Sequence, residues 1–308
     1  MENTGRISDP NQGRILMQTL DAAALEQQQE LYRNALPVFV RQGILNQKAA
    51  DAIEPLIGLP MDDIMHLVTP YDRAQKAGII TQAQLVPMRQ EITRQIHSPT
   101  AKCSGTAAHV YSDATSITGC TLSTENRNEN VVKSISGGNV VLERVQIEKR
   151  GDTRNHIEGN FTGLNAAVLA EGGRISISDS QIISHAIGGN NVFAHGADSH
   201  ITLNNVLLDA YGEASNRCIY VSFGGQVDAE HCEIISRGSI SSPVATDVGG
   251  GTIRLKNCVV KALGNHCAAL YSTGRVEAEH CVCVAPETEG MIIVGSNSIF
   301  LRDSHVFS

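Results

Sequence analysis

The sequence predicts an all-β domain, a parallel β-helix of about eight rungs, preceded by an N-terminal α-helical bundle. Three observations predict it. A segment of alternating apolar residues recurs eight times from residue 115 onward, its copies start 23 to 35 residues apart, and apolar residues at helical spacing occur before residue 97. A period of this length has room for short strands and none for a helix. Each repeat is therefore predicted to be one coil of a solenoid.

Residues 1–98 are predicted to form the helical domain and residues 99–308 the β-helix. The sequence RQGILNQ at 41–47 recurs in similar form as KAGIITQ at 76–82. Gly43 and Gly78 would end one helix of each pair, and Asn46 and Thr81 would cap the next. We expect four or five short helices. They either cover the open end of the solenoid or mediate homo-oligomer formation or partner binding, and the sequence leaves both roles open.

Within the β-helix, each repeat has apolar or small residues at its first, third, sixth and eighth positions, with a bend between the two pairs. The repeats begin at Thr115, Val140, Ile175, Ile201, Val227, Ile253, Val276 and Ile299. Short polar residues dominate at the bend, and they tolerate a left-handed backbone. The predicted column of bend residues is Gly119, Arg144, Asp179, Asn205, His231, Asn257, His280 and Asp303.

Composition and charge restrict the function classes. The 308 residues include 28 Gly, no Trp and 4% aromatic residues, which suits a narrow core of stacked aliphatic side chains. A net charge of −8 argues against a nucleic-acid partner. No apolar stretch approaches the roughly 20 residues that a membrane span requires, and the first residues lack the apolar core of a signal peptide. We expect a cytoplasmic protein with no membrane or nucleic-acid partner.

The eight cysteines are interpreted as reduced thiols that serve as small core residues. Two His-Cys pairs, at 231–232 and 280–281, suggest a metal site at first sight. These pairs lie two rungs apart, roughly 10 Å at the spacing of parallel strands, whereas zinc ligands lie about 2.3 Å from the ion. The sequence therefore predicts no metal site and no cofactor.

From Lys149 to Ser308 the sequence resembles the right-handed parallel β-helix proteins of the pectin-lyase-like superfamily, especially a bacterial group with Gly-rich rungs. The resemblance is carried by the segments 151–153, 160–168, 190–194, 266–274 and 295–299. It implies a right-handed solenoid, and its members include polysaccharide lyases, hydrolases, epimerases and adhesins. Polyuronate lyases of this fold have an acidic calcium cluster beside an Arg or Lys base, and no such cluster of Asp residues on adjacent rungs occurs in this sequence.

A second strand in each coil is predicted to carry the functional site. Its alternate apolar residues face the core, among them Ala167 and Leu169, and the residues between them face outward as an exposed groove. The residues predicted to be catalytic are His195, Tyr220, Asp247 and Tyr271. Those predicted to bind substrate are Phe193, Arg217, Ser222, His266 and, from an insertion at 149–164 expected to form a wall or lid, Asp152, Arg154 and His156.

Two functions of different class fit these residues. The first is an acid-base enzyme of lyase, epimerase, isomerase or cyclase type that acts on a neutral saccharide or small metabolite in the lateral groove. The second is a non-catalytic protein that binds a glycan or another protein on the same face, as an adhesin or scaffold does. An acidic chain would repel a polyanionic substrate, so a neutral ligand is expected in either case.

Overall fold

A computed structural model of the chain describes residues 22–59, 69–96, 101–153, 156–214, 216–247 and 249–308. The described residues form two compact units, one before residue 97 and one after it. The first unit is helical, and its described helices are α1 (Ala22–Arg41), α2 (Gln47–Ile57), α3 (Pro70–Lys76) and α4 (Gln82–Ile96). Among the described residues, no helix is both long and apolar enough to cross a membrane.

The repeated turn of the helical unit forms as the sequence predicts. Gly43 and Gly78 have φ angles of 71° and 72°, the left-handed conformation that ends a helix. Asn46 accepts a hydrogen bond from the amide of Ala49 at 2.8 Å, and the hydroxyl of Thr81 accepts one from the amide of Gln84 at 3.3 Å. The predicted caps are therefore confirmed, and Tyr32, Phe39, Ile53, Tyr71 and Met88 fill the core between the helices.

The second unit is a parallel β-solenoid of about eight turns. The strands, numbered along the chain, form two sheets in which neighbouring strands run parallel. The 14-stranded sheet, called the ladder sheet, contains β2 (Ala114–Thr118), β3 (Thr121–Thr124), β5 (Asn139–Glu143), β6 (Gln146–Lys149), β8 (Arg174–Ser184), β10 (His200–Ala210), β12 (Gly225–Glu230), β13 (Glu233–Ser236), β15 (Gly251–Lys256), β16 (Val259–Ala262), β18 (Arg275–Glu279), β19 (Val282–Val284), β21 (Ser298–Arg302) and β22 (His305–Phe307).

The 8-stranded sheet, called the second sheet, closes each coil on its other side. It contains β1 (Thr106–Tyr111), β4 (Glu129–Ile135), β7 (Val168–Glu171), β9 (Val192–His195), β11 (Ile219–Ser222), β14 (Val244–Thr246), β17 (Ala268–Ser272) and β20 (Glu289–Ile293). Aliphatic and cysteine side chains from both sheets fill the narrow interior. Side chains as small as Val, Ile, Leu, Ala and Cys can fill this interior at close packing, because the space between the two sheets within each coil is narrow.

The predicted register of the ladder is confirmed. The eight residues that open the repeats, Thr115 to Ile299, lie opposite one another from coil to coil. All eight bend residues have positive φ angles, from 48° at Asp303 to 66° at Gly119. A left-handed residue redirects the chain without breaking the ladder of hydrogen bonds, so the repeat needs one at every coil.

The predicted facing of residues 168–170 is wrong by one position, whereas Ala167 faces the interior as predicted. Val168 pairs with Val192 in the interior, and Leu169 pairs with Phe193 on the outer face. The insertion before β7 ends at Asn165, which has a φ angle of 68° and thereby sets the phase at which the chain enters the strand. Because strand side chains alternate with a period of two, a shift of one residue exchanges the two faces.

The cysteines are all unbonded, and Cys232, Cys258 and Cys281 occupy one interior column. The thiol of each donates to a main-chain carbonyl two residues earlier, for example Cys258 to Lys256 at 3.2 Å. His231 and His280 are exposed at the bends. In the part of the chain that the structure describes, no three His, Cys, Asp or Glu side chains come close enough together to hold a metal ion.

Candidate functional site

The outer face of the second sheet carries two rows of side chains that run across neighbouring strands. One row contains Lys133, Leu169, Phe193, Tyr220, Ala245 and Tyr271. The other contains Glu171, His195 and Ser222, followed by Asp247 immediately after β14. These residues point away from the interior, as the sequence predicts for Phe193, Tyr220, His195 and Tyr271. The rows place the predicted site residues on a common face.

Most of this face is covered, which corrects the expectation of an exposed groove. Two segments lie over it: residues 101–104, called the strap, and the described residues of the insertion, 151–153 and 156–165, which contain α5 (His156–Phe161). Together with the sheet they enclose an outer apolar cluster of Cys103, Leu164, Leu169, Phe193 and Tyr220. Phe193, Tyr220 and Ser222 are 0% exposed and His195 is 3% exposed. Covering aromatic rings of this size removes about 150–250 Å² each from water, which favours the closed arrangement.

The insertion is anchored at its base by a buried lysine. The carbonyl of Gly151 accepts from Lys149 Nζ and from Asn165 Nδ2, both at 2.9 Å, and thereby joins the two ends of the insertion. Asp152 Oδ1 accepts from the amide of Ile187 at 2.9 Å, so this predicted ligand-binding carboxylate serves as a main-chain anchor. Arg154 lies outside the described residues, and His156 is described only as the first residue of α5.

His195 is engaged by the protein at both ring nitrogens. Nδ1 lies 2.9 Å from Ser222 Oγ, and Nε2 lies 2.8 Å from the carbonyl oxygen of Ala101 in the strap. The hydroxyl of Ser222 also lies 2.9 Å from the carbonyl oxygen of Phe161, to which it can donate. Burial is the main cause that lowers the pKa of His195. The pair therefore connects the sheet to both covering segments and is closed to solvent.

A second part of the face remains partly open and is called the open patch: Asn160, Arg217, Asp247 and Tyr271, all half-buried, around the buried ring of Tyr220. The Tyr220 hydroxyl donates to Asp247 Oδ2 at 2.5 Å. Burial raises the pKa of Tyr220 well above its ordinary value, so the phenol keeps its proton and remains a donor. Burial, then the nearby Asp247 carboxylate, also raises the pKa of Tyr271.

Arg217 closes one side of the open patch. Its guanidinium carbon lies 4.5 Å from the centroid of the Tyr220 ring, and its Nη1 donates to Asn160 Oδ1 at 2.7 Å. These contacts hold the cation over the same Tyr220 ring whose hydroxyl binds Asp247. A cation, a carboxylate and a phenol thus share one surface.

His266, the remaining predicted residue, is exposed in the turn before β17, with a φ angle of 55°. Phe193 is fully buried, and its ring packs edge-on against the Tyr220 ring with the ring centroids 4.8 Å apart. This contact holds the Tyr220 ring in place beneath the surface. Of the predicted residues, the structure therefore brings Tyr220, Asp247, Tyr271 and Arg217 together at the open patch, and places His195, Ser222 and Phe193 beneath the covering segments.

Glu171 and Lys133 on this face were not predicted from the sequence, whereas Glu158 belongs to the insertion that was expected to form a wall or lid. Glu171 pairs with Lys133 at 3.1 Å and accepts from the amide of Cys103 at 2.7 Å, while Glu158 accepts from the amide of Ser104 at 2.6 Å. A signal for Glu171 is present, because it is the last residue of β7 as His195 is the last residue of β9. The shifted facing of residues 168–170 concealed it.

A shallow groove of about 610 Å³ lies elsewhere, along three successive bends of the ladder sheet. It is lined by polar residues such as Arg144, Gln146, Asp179 and Gln181. Arg144 donates to Thr118 there at 3.0 Å, as the side chains of a solvated stack do. The groove brings together no acid-base group comparable to those of the open patch.

Comparison of the chain with family models, with curated proteins and with solved structures finds no match. A functional assignment therefore depends on the geometry of the site itself.

Proposed function

We propose that the open patch binds a neutral saccharide or a small polar metabolite rich in hydroxyl groups. The observation that carries this proposal is the 2.5 Å hydrogen bond from the buried Tyr220 phenol to the half-buried carboxylate of Asp247. It fixes one oxygen of Asp247 at the edge of a partly open, partly aromatic surface. Sites for small ligands typically combine an apolar surface with a few fixed polar groups of this kind.

The chemistry of the neighbouring groups supports a hydroxylated ligand. Asp247 offers a carboxylate that accepts from hydroxyl groups, Arg217 donates to ring or hydroxyl oxygens, and the half-buried ring of Tyr271 offers an apolar face. Arg217 is held in place by Asn160 and by the Tyr220 ring, so little conformational entropy is lost when it binds. The net charge of −8 disfavours polyanionic ligands.

An acid-base enzyme is the second candidate, and the same hydrogen bond favours it. A phenol that remains protonated holds Asp247 in a fixed orientation, in which its carboxylate would accept a proton from the substrate. Tyr271, whose pKa is raised, would return a proton from a neighbouring strand. This assignment reduces the proposed catalytic residues to Asp247 and Tyr271, with Tyr220 positioning the base and the buried His195 taking no part.

The superfamily and the handedness of the solenoid, and the cellular location of the protein, are also proposals. We assign the solenoid to the right-handed, pectin-lyase-like class because of its Gly-rich rungs, three-strand coils and left-handed bends. The usual right-handed connection between parallel strands supports the same hand. The eight unbonded cysteines fit a reducing, cytoplasmic environment.

A glycan array tests the proposed binding. The purified chain is compared with Asp247→Asn and with Asp228→Asn, a control that removes a half-buried carboxylate of the ladder sheet. Asp247→Asn is expected to weaken binding of a neutral glycan by about ten-fold or more, and Asp228→Asn is expected to have no effect. Equal binding by all three proteins, or binding of polyanionic glycans alone, would contradict the proposal.

Turnover separates the two candidates. A glycan that binds is incubated with the wild-type chain and with Asp247→Asn, and its NMR spectrum is followed for a new double bond or an inverted stereocentre. An enzyme converts the glycan and loses at least about a hundred-fold in rate without the Asp247 carboxylate. A glycan that binds and stays unchanged with the wild-type chain supports the non-catalytic function.

A further inference from the structure

The strap is attached to the sheet mainly through its main chain. The Ala101 carbonyl meets His195 Nε2 at 2.8 Å, the Cys103 amide donates to Glu171 at 2.7 Å, and the Ser104 amide donates to Glu158 at 2.6 Å. Lys102 and Ser104 are exposed, and of the strap side chains only that of Cys103 is fully buried. A segment with so little buried apolar surface detaches at a low free-energy cost. The strap is therefore held mainly by three ionisable side chains, from β9, β7 and α5.

His195 has a different hydrogen-bonding role in each protonation state. The Ala101 carbonyl is an acceptor, so Nε2 carries a hydrogen, and in the neutral ring Nδ1 accepts from the Ser222 hydroxyl. A second proton on Nδ1 turns this nitrogen into a donor. Ser222 Oγ must then accept, and its own hydrogen turns to the Phe161 carbonyl, 2.9 Å away. In the charged state all three hydrogen bonds are satisfied, whereas in the neutral state Ser222 donates to Nδ1 and the Phe161 carbonyl loses that donor. The positive charge, however, has no access to water while the strap is closed.

The surroundings of the ring disfavour that charge. Phe223 lies edge-on to His195 at 5.5 Å between ring centroids, and the Phe193 ring lies tilted to it at 6.5 Å. Burial is the largest cause that lowers the pKa of His195, and Lys102 on the strap acts in the same direction. The hydrogen bond to the Ala101 carbonyl, then the Glu171 carboxylate on β7 and the Phe161 carbonyl, act against them and raise the pKa, but burial has the larger effect. Glu171 is also shared with Lys133 on β4 at 3.1 Å.

Glu158 on α5 responds to acid in the opposite sense. Burial raises its pKa, so the closed arrangement takes up a proton at Glu158 more readily than an open one. Below the ordinary His pKa of 6.5, protonation of His195 therefore destabilises the closed state, whereas protonation of Glu158 stabilises the closed state. Removal of Glu158 isolates the histidine effect.

We propose that the strap is an acid-sensitive cover: uptake of a proton by His195 favours a state in which residues 101–104 have left the sheet and expose His195 and Ser222. The sign follows from linkage. A group whose pKa is lower in the closed state binds fewer protons there, so a fall in pH through the ordinary His pKa stabilises the open state. The cover lies outside the open patch, so this proposal goes beyond ligand binding and is tested without a ligand.

Cys103 is a built-in reporter of the strap, since it is 7% exposed when the strap is closed. Labelling with N-ethylmaleimide is followed by peptide mass spectrometry at pH 7.5 and pH 5.5, and the rate at Cys103 is divided by that at Cys120, a half-buried cysteine of the ladder sheet. The division cancels the general loss of thiolate in acid. The ratio is expected to rise about three-fold or more at pH 5.5.

Variants assign the effect to the histidine. His195→Gln keeps a donor for the Ala101 carbonyl but takes up no proton, so its ratio is expected to be the same at both pH values. His231→Gln, at an exposed bend, is expected to behave as the wild type does. Glu158→Gln is expected to give a steeper rise than the wild type. A wild-type ratio that does not change with pH, or an equal rise in His195→Gln, overturns the proposal.

Amide exchange of the wild-type chain supplies a measurement that needs no variant. The amides of Cys103 and Ser104 are expected to lose protection at pH 5.5 relative to pH 7.5, after correction for intrinsic exchange rates, while the interior amides of β9 keep theirs. Unchanged protection at both strap amides would rule out the opening, even if His195→Gln failed to fold.

Discussion

The phenol of Tyr220 donates to Oδ2 of Asp247 at 2.5 Å, although the tyrosine is fully buried and the aspartate is half-exposed. The two residues belong to neighbouring coils and are 27 positions apart in the chain. The ring of Tyr220 also supports Arg217 on its face. One buried residue therefore positions both charged groups of the open patch.

A double-mutant cycle measures this relationship. Tyr220→Phe keeps the edge-on contact with Phe193 and removes only the donor, so it is expected to lower the free energy of unfolding by about 1.5 kcal/mol. In the Asp247→Asn background the loss is expected to be smaller, because a neutral amide oxygen is a weaker acceptor. Urea denaturation gives the four values. Equal losses in both backgrounds would show that the hydrogen bond does not couple the residues.

A column of three glycines at one corner of the solenoid is expected to tolerate no side chain. A Cβ on Gly238 would lie 1.9 Å from the Gly212 carbonyl oxygen, and one on Gly264 would lie 2.0 Å from that of Gly238. Gly238→Ala is therefore expected to cost more than about 3 kcal/mol of stability, because two backbones must separate. Gly159→Ala, whose nearest neighbour would be 3.6 Å away, is the control and is expected to change stability by about 1 kcal/mol or less. Thermal unfolding followed by circular dichroism distinguishes the two variants.

Lys149 is expected to be essential for anchoring the insertion. Its Nζ donates to the carbonyls of Asn126, Arg150 and Gly151 at 2.8, 2.6 and 2.9 Å, and the side chain is 0% exposed. Lys149→Met removes the donor from the Asn126 and Arg150 carbonyls and leaves the Gly151 carbonyl with Asn165 alone, which is expected to cost about 3–5 kcal/mol. Lys261→Met, which removes an exposed lysine paired with Glu233, is expected to cost less than about 1 kcal/mol. A small loss for Lys149→Met in guanidinium denaturation would show that the anchor is dispensable.

Thiol counting tests the packing of the interior. Cys120 is half-buried and the other seven cysteines are buried. Burial raises the pKa of Cys103 and Cys283 to about 12, which further slows their reaction. At pH 7.5 one thiol is expected to react fast and seven slowly, and all eight are expected to react in denaturant. Fewer than eight in denaturant would reveal a disulfide, with Cys232, Cys258 and Cys281 as the nearest candidates.

The ladder sheet was predictable residue by residue because the facing of each residue follows from its immediate neighbours in the sequence. Alternation of apolar residues assigns Val227 and Ala229 to the interior, and a polar residue such as His231 marks the bend. The second sheet was less predictable. Its strands are short and apolar on both faces, so Leu169 and Val168 could be exchanged without violating the pattern. Only pairing with Phe193 and Val192 on the next coil resolves the choice.

The sequence by itself determined the solenoid, the register of its ladder sheet and its column of left-handed bends, because the same local preferences recur in every coil. Only the tertiary structure decided which part of the outer face meets solvent. That outcome depends on contacts between residues far apart in the chain, such as Ala101 with His195 and Asn160 with Arg217. The strap and the insertion do not belong to the repeat, so no periodic pattern in the sequence predicts where they pack. The packing of their apolar residues against Phe193 and Tyr220 is what reduced an expected groove to the open patch at Asp247.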